Sequence, residues 1–69
     1  MTLIRHLTHE SHAHDFVVTK GTYGWDVREM EDLHVVRHVH HNDWHRVELD
    51  TLLFELRATD MKDVGWVED

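Results

Sequence analysis

The chain has no cysteine and no proline, three glycines and a single serine among its 69 residues. Without cysteine there can be no disulfide and no thiolate zinc site. A lone serine, Ser11, and no thiol leave nucleophilic catalysis little to work with, and no glycine-rich phosphate loop is present. No apolar run approaches the roughly 20 residues that a membrane span requires. The first ten residues, MTLIRHLTHE, lack the apolar core and small-residue cleavage site of a secretory signal. These absences set the expectation of a cytoplasmic protein that is not an enzyme and has no membrane partner. A chain this short buries only about 60% of its unfolded surface, so its core is marginal. With disulfides excluded, the supports left to it are a histidine or carboxylate metal site and association with a partner subunit.

Acid and histidine are plentiful. Fourteen acidic residues stand against seven basic ones, for a formal charge of −7, beside nine histidines counted as neutral. Residues 1–42 carry four basic and six acidic side chains, and residues 43–69 carry three and eight. An acidic surface does not attract phosphate backbones, whose binding rests on Lys and Arg. Protonating the histidines would carry the charge through zero near the pI of about 5.6, where repulsion between molecules is weakest.

Three segments read as strands. Asp15–Lys20 is rich in β-branched and aromatic residues, Trp25–Met30 alternates apolar with charged side chains, and Leu33–His40 follows a polar break at Glu31-Asp32. Gly21-Thr22-Tyr23-Gly24 supplies the first turn, and short connections imply an antiparallel meander. A two-residue turn at Glu31-Asp32 would set Asp26 opposite Arg37 and Trp25 opposite His38. Residues 1–13 read as a flexible segment or an extra edge strand, and residues 14–69 as a single β-β-β-α domain of the α+β class.

The period then changes. Asn42 or Asp43 can cap a helix that nothing interrupts from Trp44 to about Asp63. Gly65 suits the left-handed position after the helix, with Trp66 and Met61 as the apolar pair of a Schellman cap. At about 100° per residue this helix carries two apolar stripes rather than one. Leu49, Leu52, Leu53 and Leu56 lie on one side; Trp44, Val47, Thr51, Phe54, Ala58 and Met61 lie nearly opposite. One stripe packs on the sheet, and the other needs a cover, either the N-terminal segment or a second copy of the chain. The leucine stripe is the candidate interface of a homodimer or of another protein partner.

The histidines form two groups. His6, His9, His12 and His14 could wrap a transition metal if their segment folded around it. His34, His38 and His40 share parity on the third strand, and His41 and His45 flank the turn into the helix. The candidate ligand set for zinc or another transition metal is His38, His40, His41 and His45 with Asp43. The bland alternative is a solvent face that carries histidines, with no resident cofactor. A pH-dependent interface is a third use.

Three strands followed by a helix, with Trp25-x-Val27-Arg28 in the second strand, resemble the small DNA-binding domains of phage integrases and of a class of plant transcription factors. The resemblance covers roughly residues 15–62. It implies a sheet laid in the major groove, with Trp25, Arg28 and Arg37 facing DNA. The chain departs from that pattern: Lys20 is the sheet's only other Lys or Arg, and the helix is strongly acidic. Nucleic acid therefore ranks third, behind a non-enzymatic interaction or accessory protein and a metal-binding protein.

Overall fold

The computed structural model describes residues 2–69. Among these residues five strands and one helix follow in the order β1 (Thr2–His9), β2 (His12–Gly21), β3 (Gly24–Glu31), β4 (His34–His41), α1 (Trp44–Asp63) and β5 (Val67–Glu68). The strands form one antiparallel sheet in the order β4-β3-β2-β1-β5, so the chain is α+β, a meander with a C-terminal helix on one face. Among the described residues no helix is long and apolar enough to cross a membrane.

The N-terminal segment, apart from Met1, which lies outside the described residues, is the extra strand near the sheet's edge and not a flexible tail. It is an eight-residue strand paired along its whole length with β2, from Thr2↔Thr19 to His9↔His12, and β5 pairs with its other edge. The segment therefore does not fold over the helix.

Alternation sorts the side chains. Leu7, Phe16, Val18 and Val27 point to one face and are fully buried there beneath Val47, Phe54 and Ala58 of α1. Phe16 and Phe54 stack with ring centres 4.6 Å apart, and Trp25, Val39, Met61 and Trp66 close the margins of this core. The stripe that meets the sheet is thus the mixed one built around Phe54, and the leucine stripe faces away.

The helix ends match the sequence expectation. The Asp43 side chain accepts the His45 amide at 2.9 Å. At the other end the Trp66 amide donates to Met61 O (3.1 Å) and the Gly65 amide to Lys62 O (3.2 Å), the two bonds of a Schellman cap. Gly65 has φ +112°, and a Cβ there would stand 2.9 Å from His9 Nε2.

The β3–β4 register differs from the expected one. The turn is Asp32-Leu33, with both residues at positive φ (50° and 70°), so that Glu31 pairs with His34. A bulge between Glu29 and Met30 then leaves Val36 without an opposite number, and Trp25 pairs with His41 and Asp26 with His40. Asp26 therefore does not face Arg37, nor Trp25 His38. Because a bulge reverses the alternation beyond it, His34 lies on the opposite side of β4 from His38 and His40. The turn is held from β2: Asp32 accepts the Ala13 amide (2.9 Å), donates its own amide to Ala13 O (2.9 Å) and meets His12 Nδ1 at 2.9 Å.

Candidate interaction face

A layer of paired charges fastens the helix to the sheet. Glu29 is buried and takes both guanidinium nitrogens of Arg57, Nη1 at 3.0 Å, with His14 Nε2 3.5 Å away. Asp50, also buried, meets His41 Nε2 at 2.6 Å and Arg37 Nη2 at 3.3 Å. On the other flank Arg5 joins Glu55 of the helix to Glu68 of β5, which Lys62 also reaches at 2.7 Å. Among the described residues no buried side-chain nitrogen or oxygen lacks a partner. Hydrogen bonds from Arg5, then Lys62, pull the Glu68 carboxyl down to about 2, and those carboxylates in turn raise Arg5. The Glu29 contact raises Arg57 in the same way.

These bonds fix the rotation of α1 about its own axis. Asp50, Phe54, Arg57 and Ala58 are committed to the sheet, and the 3.6-residue period then turns Leu49, Leu52, Leu53 and Leu56 outward. The four leucines are 49–59% exposed along one side of the helix. Leu53 and Leu56, with Arg37, Asp50 and Arg57, line an open groove of about 410 Å³ towards strand β4. On the other flank Leu52 shares a shallow apolar groove with Leu3 and Trp44. The leucines form one apolar ridge with a shallow groove on either side.

The proposed metal ligands do not come together. His38 and His40 point to the open face of the sheet, where both address Asp26 Oδ1, at 3.4 and 3.1 Å. His40 Nε2 also lies 3.0 Å from Tyr23 O and 3.1 Å from Asn42 Oδ1. His41 points the other way, onto Asp50, while His45 sits on the solvent side of the helix 3.9 Å from Glu48. Asp43 is occupied as the helix cap. The earlier histidines are dispersed as well: His6 pairs with Asp15, His9 lies against Trp66, His12 holds Asp32 and His14 stacks on Phe54. Among the described residues no three histidine or carboxylate groups form a metal cage. The carboxylates instead raise their imidazole partners: Asp15 raises His6, Asp32 raises His12 and Asp26 raises His40. Asp26 and Asp32 are lowered in return, mainly by His40 and His12.

The residues carried over from the DNA-binding resemblance do not share a surface. Trp25 and Arg37 are on the helix side, Trp25 packed 5.4 Å from Trp44 and Arg37 on Asp50, whereas Arg28 is on the open face across from His38. The buried acids Glu29 and Asp50 were not singled out in the sequence. Glu29 did leave a signal, since it occupies the same parity as Trp25 and Val27, where a half-buried strand calls for an apolar residue. No protein-family model matches the chain, and no curated protein or solved structure matches it either.

Proposed function

We propose that this is a small, non-enzymatic interaction protein that works as a homodimer through Leu49, Leu52, Leu53 and Leu56. The observation that carries the reading is the outward rotation of these four residues on a helix whose opposite stripe is already buried. Four half-exposed leucines in one row amount to on the order of 400 Å² of apolar surface, a size at which a patch on a small protein usually has a use. That is about half of the ~800 Å² per partner that a standard interface buries, and the neighbouring side-chain stems supply the rim. A 69-residue chain with a modest core gains stability from such a partner, as the short length led one to expect. The buried acids Glu29 and Asp50 fasten helix to sheet, and carboxylates hold His6, His12 and His40 between strands, which also favours an interaction protein.

Because the leucines are not part of the core, a charge placed among them should separate the subunits without unfolding them. Sedimentation velocity of untagged protein should give a concentration-dependent dimer, and Leu53→Glu a monomer whose near-ultraviolet circular dichroism keeps the tryptophan signature of the folded chain. A monomeric parent protein, or a Leu53→Glu variant that dimerises as before, would refute the reading.

A further inference from the structure

The leucine stripe has a symmetry of its own. Leu49 and Leu56 end it, Leu52 and Leu53 sit at its middle, and that middle falls within about one residue, or ~1.5 Å, of the centre of α1. A stripe centred on its helix can meet a second copy in two ways, and the charges at its ends separate them. The N-terminal end carries His45 and Arg46, and the C-terminal end Asp60 and Asp63. Parallel helices would set Asp60, Asp63 and Arg46 each level with its own copy, and would align the two helix dipoles. Antiparallel helices would bring the basic end of each to the acidic end of the other, with dipoles opposed.

Resting on the leucine-face reading above, we infer that two copies pack α1 antiparallel about a two-fold axis passing between Leu52 and Leu53. Leu49 of each then meets Leu56 of the partner subunit, and Arg46 of each reaches Asp60 of the partner subunit. Arg46 and Asp60 lie on the same flank of the stripe, and a two-fold axis lying between antiparallel helices brings like flanks together, so both ion pairs form on one side. Both groups are exposed and available: Arg5, Arg37, Arg57 and Lys62 are each paired with a carboxylate of their own chain, whereas Arg46 and Asp60 enter no ion pair among the described residues. The opposite flank brings Glu48 of each copy near Glu55 of the partner subunit, the one like-charge approach in this arrangement. There Glu55 is held by Arg5, Glu48 lies near His45, and solvent screens the rim. A shallow crossing of about 20° lets the leucines interdigitate over the full stripe.

The test is a charge exchange in the full chain, read as the dimer dissociation constant by sedimentation at low salt. Arg46→Asp and Asp60→Arg each turn two attractive contacts into repulsive ones and should weaken the dimer about tenfold or more. The double variant R46D/D60R restores opposite charges in exchanged positions and should return to within about threefold of the parent. Neither single change harms the helix, since each places its charge at the end the macrodipole favours, so a lost dimer cannot be put down to a lost fold. Single variants without effect, or a double variant as weak as the two losses combined, would overturn this arrangement. If Leu53→Glu still separated the subunits, the leucine reading would survive that result. A monomeric parent protein would overturn both.

Discussion

Replacing Arg57 by alanine should cost far more than replacing the residue it holds. Glu29 has 3% of its side chain exposed, whereas Arg57 has 52%. The pair is therefore lopsided: one partner depends on the other for its solvation, and the other can turn to water. Arg57→Ala leaves a carboxylate under the helix, a situation that typically costs 3–5 kcal/mol when a buried pair is broken. His14 at 3.5 Å and Arg37, directly across the ladder, offer partial replacement, which brings the expected cost to about 3 kcal/mol. Glu29→Gln leaves a neutral amide in place and a guanidinium free to swing outward, for about 1 kcal/mol. A domain of this size has a total stability of roughly 3–10 kcal/mol, so the first change threatens the fold and the second does not. On a 60–100-residue scale the difference is a fall in melting temperature of about 12–24 °C against 4–8 °C. The assay is urea unfolding at neutral pH followed by tryptophan fluorescence, in a Leu53→Glu background so that dimerisation does not contribute. In the same background R57A/E29Q should be more stable than R57A alone, because the stranded charge is gone. If Arg57→Ala proved milder than Glu29→Gln, or the double variant no better than Arg57→Ala, the account of Glu29 as a carboxylate solvated by Arg57 would be wrong.

Two further outcomes follow from local geometry. Leu33 stands at φ +70° in the β3–β4 turn with most of its side chain in water, a backbone state that costs a non-glycine residue about 1–2 kcal/mol. Leu33→Gly should relieve that cost against a smaller entropic loss and raise the melting temperature by several degrees; a lower melting temperature would show the turn to be unstrained. His6, raised from 6.5 chiefly by its hydrogen bond to Asp15, should titrate above 6.5 by NMR and return towards it in Asp15→Asn. Since a raised histidine stabilises the fold while protonated, that contribution is complete below 6.5 and is lost as pH rises through the raised value. A His6 midpoint unmoved by Asp15→Asn would refute the pairing.

The helix was legible nearly to the residue, because both of its ends are written in local chemistry: an aspartate that can cap, and a glycine followed by a tryptophan that closes the last turn. Strands β2 to β4 were legible as strands from their β-branched content. The antiparallel meander and the turn from Gly21 to Gly24 were legible too, but the register of β3 against β4 was not, for a specific reason. Asp32-Leu33 carries no glycine or asparagine to announce a turn at positive φ, and its hold comes from Ala13 and His12, some twenty residues earlier. The bulge at Val36 adds a second displacement that no local pattern marks. Together they move Trp25 from His38 to His41 and so turn His38 and His40 to the open face, while His41, the next residue of the strand, faces the other way by alternation alone. The choice between the helix stripes was likewise non-local. The leucine stripe is the more uniformly apolar, but Phe54 finds Phe16 to stack on and Ala58 allows close approach, and neither fact resides in the helix alone.

The bulge in β4 also bears on what happens when many copies of the chain meet. β4 is an outer strand of the sheet, and one of its edges faces no neighbour. A straight eight-residue edge containing two adjacent valines would template the addition of strand upon strand, the geometry from which cross-β fibres grow. Val36 breaks that template in its middle, because the extra residue twists the strand and interrupts the regular spacing of its amides. Arg37 beside it adds a charged side chain to the edge strand, which strand addition would have to accommodate. One surplus residue thus makes this edge a poor template for the addition of a further strand.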